Sequence, residues 1–360
     1  MKKTKVLVGV LNWGLGHAAR CIPVINAFQK CGCEVSIASD GVALNLLKKE
    51  FPHLNTFELP SYSISYPQRL RMSLGICFQM PKILNNIKKE NNYLKKIQGS
   101  EHFDIIVSDC RFGCYTADTA NIYITHQVLI RFPKILKVFE GTGAYLHGLV
   151  RKKFNILWII DRNGPECLSG EMGQPRKNER FSYIGILSRF TSGKTAVGTI
   201  DACFLLSGPE PQRTIFEKIV LERKWPENKK YCLVRGLPDE HLILSMPKNW
   251  TVFNHLASGE LQDILLSSKH IICRSGYSTI MDLVRLGLRA TLIPTPGQPE
   301  QEYLAYYLSK KAGFSTVSQR KFLKNGIELN ELGHCDCYNE KDDEKFLLSA
   351  VNDVLKNIKY

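Results

Sequence analysis

Short apolar runs rich in Val, Ile and Leu alternate with stretches of helical periodicity along the whole chain, and this alternation constrains the fold most. A run that is apolar throughout reads as a strand buried on both faces, as in a parallel sheet covered by helices. In the first half such runs occur at 5–11, 34–40, 55–59, 104–109, 121–126 and 155–160. Helices are predicted between them over 18–30, 42–49, 81–97 and 133–152. A second series has strands at 201–206, 231–235, 251–254, 270–273, 290–293 and 314–317, with a helix over 214–221. The fold class is α/β, and 360 residues suffice for two domains with their own cores. The simplest assembly is two Rossmann-like domains facing each other across a cleft. The first covers 1–165 and the second 199–340. A polar Gly/Pro-rich connection over 166–198 joins them and holds a short strand at 180–185. A final helix over 344–357 is expected to pack back on the first domain.

With 44% apolar and 23% charged residues the composition is that of an ordinary globular protein. The twelve cysteines are scattered, many within strands, which suits a reducing compartment. Cys31-Gly-Cys33 and His334-Cys335-Asp336-Cys337 are the tight groupings, and neither has the paired spacing of a structural zinc site, so no metal is expected. The N-terminus reads as a first strand rather than a signal peptide, and no apolar run is long enough to span a bilayer. A cytoplasmic location is expected, with association to the inner face of the membrane as an addition.

The net charge of +14 points toward anionic partners: nucleic acid, a membrane surface or phosphorylated substrates. No nucleic-acid module or stacking platform is recognisable, so nucleic acid is not expected. Between Arg69 and Lys96 there are seven Lys/Arg and one acidic residue, interleaved with Leu74, Ile76, Phe78, Met80, Ile83, Leu84 and Ile87. This basic amphipathic segment suits peripheral contact with an anionic membrane, and equally a helix packed on the sheet with a solvated face.

Three loops carry candidate chemistry, each directly after a strand and before a helix. The first is Asn12-Trp13-Gly14-Leu15-Gly16-His17-Ala18-Ala19-Arg20. Gly14 and Gly16 permit a tight turn with close backbone approach to a phosphate or sugar, Arg20 offers a phosphate contact, and Asp40 ends the next strand. Spacing alone also fits a dinucleotide fingerprint, so an oxidoreductase remains an alternative. His17 is a candidate general base, since a dinucleotide loop needs no imidazole there. Asp109 and His126, each ending a strand of the first half, are the other candidates. The second loop, Ser207-Gly208-Pro209-Glu210-Pro211, offers a hydroxyl and backbone groups to a phosphate. The third is Arg274-Ser275-Gly276, which opens a helix with Thr279 in its first turn and Asp282 two turns in. A helix start exposes unpaired N–H groups and suits a diphosphate, while Asp282 can accept a sugar hydroxyl. The following strand ends in Pro294-Thr295-Pro296-Gly297-Gln298-Pro299-Glu300-Gln301-Glu302.

Together the Gly-x-Gly-His loop, the Ser-Gly-Pro loop and the CRSG…T…D…PTPGQPEQ series resemble the MurG-like glycosyltransferase family 28, most closely over 201–317. The resemblance implies the GT-B fold, a UDP-sugar donor held mainly by the C-terminal domain, inversion at the anomeric carbon, and no metal or other cofactor. It places Ser275, Gly276 and Thr279 near the donor diphosphate, Asp282 at the family's ribose-binding glutamate, and Gln301 and Glu302 at its two donor-sugar glutamines. Arg189 corresponds to an arginine near the donor phosphates. Glu302 departs from the family pattern, as do Pro209 and Glu210 and the first loop, so sugar preference does not carry over. The expected acceptor is a glycan or lipid-linked hydroxyl. A nucleotide-sugar epimerase and a non-catalytic nucleotide-sugar-binding protein are the remaining alternatives.

Overall fold

The computed structural model describes residues 3–62, 72–129, 148, 150–175, 180–191, 198–242, 244–329 and 340–358. The expected helix over 133–152 falls largely outside these residues, as do Arg69 and the His334–Cys337 grouping.

The first sheet comprises β1 (Lys5–Val10), β2 (Glu34–Ser39), β3 (Asn55–Glu58), β4 (Ile105–Asp109), β5 (Ala120–Thr125), β6 (Ile156–Ile159) and β7 (Phe181–Tyr183). Its order is β3-β2-β1-β4-β5-β6-β7, and every pairing is parallel. Val6, Leu7 and Val8 of β1 are all fully buried, so both faces of this central strand are covered. Its helices include α1 (Leu15–Lys30), α2 (Gly41–Glu50) and α3 (Met72–Glu101). The sequence pattern predicts this helix over 81–97. Instead the helix begins at Met72 and carries Pro81 in its interior, where it forfeits one backbone bond.

The second sheet holds β8 (Ala202–Leu205), β9 (Tyr231–Val234), β10 (Trp250–Phe253), β11 (Ile271–Cys273), β12 (Thr291–Leu292) and β13 (Ser315–Thr316), in the order β10-β9-β8-β11-β12-β13 and again wholly parallel. Relative to its own first strand it repeats the order of the first sheet. Its helices are α4 (Gln212–Leu221), α5 (Ser258–Leu266), α6 (Tyr277–Arg285), α7 (Pro299–Lys311) and α8 (Gln319–Asn325). The expectations include neither α5 nor α8; at 9 and 7 residues they are too short to show a strong period. Local capping marks them instead: Glu260 accepts the Ala257 N–H at 3.1 Å, and Ser318 Oγ accepts from Lys321 N at 3.3 Å. An aromatic cluster fills the core of this sheet, with Phe204 stacked on Trp250 at 5.6 Å and Phe216 edge-on to Phe322 at 5.8 Å.

The chain divides into two compact units, residues 1–13, 17–187 and 339–360 in one, and residues 14–16 and 188–338 in the other. The last helix, α9 (Glu340–Asn357), therefore belongs with the first sheet. Its anchor is Asp343, which is buried and accepts from Arg162 Nε and Nη2, each at 2.8 Å, and from Ile186 N at 2.9 Å. Gly185 has φ +75°, and a Cβ there would lie 2.7 Å from Asp343 Oδ1, so glycine lets the helix close in. The polar stretch after β6 is ordered by Asp161, whose carboxylate accepts the backbone N–H groups of Arg162, Leu168 and Ser169, all at 2.8 Å. It leads into β7, the edge strand of the first sheet.

Candidate active site

In an open parallel sheet, ligands bind beyond the strand ends where the strand order reverses. In the first sheet that point lies between β1 and β4. The loop after β1 carries Gly14, the first turn of α1 carries Gly16 and His17, and β4 ends at Asp109. Cys110, next in the chain, has φ +58°, a left-handed conformation unusual for a residue with a side chain. Asp109 and Arg111, on its two sides, each enter a buried polar cluster.

Asp109 is fully buried and central. Its Oδ2 stands 2.9 Å from His17 Nδ1, and Arg20 Nε lies 3.1 and 3.0 Å from its two oxygens, while Arg20 Nη2 also bonds Oδ1. Arg20 Nη1 donates to His126 Nδ1 at 3.1 Å. The three candidate bases of the first half therefore meet in one cluster, through an arginine that the sequence assigns to a phosphate. Arg20 does not fit that role: it is 2% exposed, drawn inward to the Asp109 carboxylate at the end of β4. Burial and the opposing guanidinium push His17 below its ordinary value, partly offset by Asp109. Asp109 remains ionised against the cost of burial, held well below the usual carboxylate range by Arg20 and His17.

These contacts separate the three candidates. Asp109 has both oxygens engaged. A guanidinium only donates, so His126 Nδ1 accepts and its proton lies on Nε2, the wrong tautomer for taking a proton there. His17 has a partly exposed ring, 16% by side chain, and its Nδ1 stands 2.9 Å from both Arg20 Nη2 and Asp109 Oδ2; with Nδ1–H given to the carboxylate, Nε2 is left as the basic atom. His17, Asp109 and Cys110 also bring ligand-type atoms within 4.8 Å of one another. Arg20 also engages both oxygens of that carboxylate, which opposes a cation at this point.

Asp40, the acidic residue of the dinucleotide reading, is buried and committed. It accepts from Arg111 Nη1 at 2.6 Å and from Asn12 Nδ2 at 3.1 Å, while Arg111 Nε bonds the fully buried Glu90. A ribose hydroxyl would have to displace an ion pair, so the arrangement disfavours that reading.

In the second sheet the order reverses between β8 and β11, and the loops after these strands carry Ser207-Gly208 and Arg274-Ser275-Gly276. Ser207 is half-buried, Gly208 exposed with φ +98°, and Thr279 half-buried in the first turn of α6. Gly276 has φ −74°, which any residue adopts, and a Cβ there would meet nothing within 4 Å. Neither backbone conformation nor internal contact explains the glycine.

Arg274 is 1% exposed, stacks on Phe216 at 4.3 Å, and donates to the carbonyls of Ile293 at 3.1 Å and Gln212 at 3.1 Å. It thus ties the loop after β12 to the start of α4. Among the described residues no carboxylate pairs with it and its Nε has no hydrogen-bond partner, and burial pushes it down to about 9. Ser275, fully buried, donates to the Gln301 carbonyl at 2.8 Å. Gln301 Oε1 accepts from Thr295 N at 2.9 Å and Glu302 Oε1 from Gly297 N at 2.9 Å, so both side chains shape the turn that opens α7. Asp282 is buried, accepts from Ser188 Oγ at 2.6 Å and lies 3.8 Å from Arg189 Nε. Burial raises its carboxyl above the ordinary value, against the pull of Arg189. Ser188 is a site neighbour that sequence reasoning missed; its adjacency to Arg189 was the available signal.

Residues 249–358 match the glycosyltransferase family 28 C-terminal domain. An uncharacterized glycosyltransferase of Methanosarcina mazei is 21% identical, covering 99% of this chain and 91% of its own length. The UDP-N-acetylglucosamine–N-acetylmuramyl-(pentapeptide) pyrophosphoryl-undecaprenol N-acetylglucosamine transferase of Thermoanaerobacter sp. is 22% identical, covering 86% of this chain and 84% of its own. Among solved structures, the glycosyltransferase SnogD from Streptomyces nogalater aligns with TM-score 0.63 at 13% identity, over 99% of this chain and 100% of its own. Two wholly parallel sheets of matching strand order, a family 28 match and full-length glycosyltransferase relatives identify the chain as a glycosyltransferase of GT-B fold, similar to family 28.

Proposed function

We propose that the chain moves a hexose or N-acetylhexosamine from a UDP-sugar to an acceptor hydroxyl, with inversion and without a metal. The observation that carries this reading is the His17–Asp109 pair at the switch point of the first sheet. His17 Nε2 takes the proton of the acceptor hydroxyl, whose oxygen attacks the anomeric carbon. The bond from that carbon to the diphosphate oxygen breaks, and UDP departs with its electron pair. Asp109 orients the ring through Nδ1 and stabilises the imidazolium that forms. In the second unit the N–H groups opening α6, with Thr279, Ser207 and Gly208, meet the diphosphate, and the uncompensated charge of Arg274 and that of Arg189 favour its growing negative charge. Asp282 takes the ribose, and Gln301 with Glu302 borders the sugar.

The experiment is a calorimetric titration with UDP, UDP-glucose, UDP-N-acetylglucosamine and NAD. Binding of uridine nucleotides is expected. Binding of NAD in their place would overturn the reading in favour of an oxidoreductase.

The acceptor proposed is a glycan or lipid-linked hydroxyl at an anionic membrane. Support comes from α3, where Lys82, Lys88, Lys89, Lys95 and Lys96 are exposed beside Met80 and Leu84, 38% and 57% exposed. The single acid of that segment, Glu90, is buried against Arg111, so it neutralises none of this face. Among the described residues no helix is long and apolar enough to cross a membrane. Sedimentation with anionic vesicles is expected to pellet the protein and neutral vesicles to leave it in solution; equal recovery from both would remove the membrane contact.

A further inference from the structure

Arg20 belongs to no part of the transfer step above, yet it bonds His17, Asp109, His126 and Cys110, four of the titratable groups gathered there. Within its unit these groups are Asp109 and Cys110 at the end of β4, His126 after β5, and Arg20 with Cys21 on α1. Arg20 Nη2 lies 2.9 Å from His17 Nδ1 and 3.5 Å from Cys110 Sγ. A guanidinium donates and never accepts, while Asp109 at this ionisation accepts and never donates. His17 Nδ1 thus stands between an acceptor and a donor at equal distance, 2.9 Å each.

Two proton arrangements satisfy these contacts. In one, Nδ1 carries a proton given to Asp109, and the second Nη2 proton of Arg20 turns to Cys110 Sγ. In the other, Nδ1 is bare and accepts from Arg20, which puts the ring proton on Nε2. A doubly protonated ring instead adds a second positive charge against the buried Arg20 cation, with one carboxylate shared between the two.

We propose that Arg20 is the positioning residue of the transfer site, holding Asp109 as its fixed anion and keeping the resting His17 ring neutral, so that the base enters each turnover unprotonated. Arg20 touches no reacting atom in this account and acts wholly through His17 and Asp109. The direction of His17 agrees: burial and Arg20 lower it together, against Asp109. A lone His–Asp pair would do the opposite, since an unshared carboxylate raises its histidine. The inference deepens the reading of His17 as the base, but its test does not depend on that reading.

The experiment is an NMR titration of the full chain carrying isotope-labelled histidine, with the His17 resonances assigned by loss in His17→Gln. In the wild type His17 is expected to titrate below the ordinary value of about 6.5. In Arg20→Gln it should rise by about one pH unit or more, since a cation in contact is removed while the carboxylate stays. Arg20→Lys, which keeps the charge, should stay closer to the wild type than to the glutamine variant. A wild-type His17 titrating at or above about 6.5 overturns the proposal even if Arg20→Gln fails to fold. An unchanged His17 in a folded Arg20→Gln overturns it equally. If His17 behaves as expected but no uridine nucleotide binds, the glycosyl-transfer reading fails and this one stands.

Discussion

Asp109 Oδ2 stands 2.9 Å from His17 Nδ1 across 92 positions of sequence. The contact exists because β4 lies next to β1 in the sheet, Val10 pairing with Asp109, so the last residue of one strand meets the helix that follows the other. His17→Ala is expected to lower kcat by about 10²–10⁴-fold, the usual worth of a positioned base, and to leave donor affinity unchanged. Release of free UDP in steady state, with donor binding by calorimetry, measures both; a kcat near wild type removes His17 from the step.

The same pair gives a pH dependence of stability. His17 is lower in the folded chain than its ordinary 6.5, so below that value the unfolded chain binds a proton that the folded chain resists. Its contribution is present above about 6.5 and lost as the pH falls toward its folded value. Asp109 acts at lower pH: its folded value is depressed, so its contribution persists above the ordinary carboxylate value and is lost in stronger acid. Between pH 7 and 5 the Tm of His17→Gln is expected to fall less than that of the wild type. Parallel declines would refute the assignment.

Gly276→Ala tests the opening of α6. The position has an ordinary φ and open space, so the variant should fold with stability within about 0.5 kcal/mol of wild type. If the diphosphate lies there as proposed, UDP binding should weaken at least about tenfold, because a methyl group then stands against it. Calorimetry with UDP decides, and unaltered affinity would move the diphosphate elsewhere.

Asp343→Ala tests the return of the chain to its first sheet. The change strips Arg162 of a buried partner and removes the carboxylate that accepts from Ile186 N–H, and is expected to cost about 3–5 kcal/mol. Denaturant unfolding measures it. A loss below about 1 kcal/mol would show that α9 is held by its apolar face, Leu347, Ala350, Val351 and Val354, rather than by this pair.

Much of this architecture is legible without coordinates because it rests on local rules. Strands apolar on both faces, such as Val6 to Val8, force a covered parallel sheet, and parallel strands need crossovers that the chain supplies as amphipathic helices. Loops after strands, with glycine before a helix, marked Gly14–His17, Ser207-Gly208 and Ser275-Gly276 as sites. Helices α5 and α8 were hidden because their lengths allow too few repeats of the period.

What tertiary structure alone decided is the partnership of charges. Arg20 reads as a phosphate contact and Asp40 as a ribose acceptor when each is seen beside its own loop. In the folded chain Arg20 serves Asp109 and Asp40 serves Arg111, partners 89 and 71 positions away. The sequence determined which residues could ionise and where strands would end. Which ions meet depends on strand order, a property of the sheet that no single segment of the chain encodes.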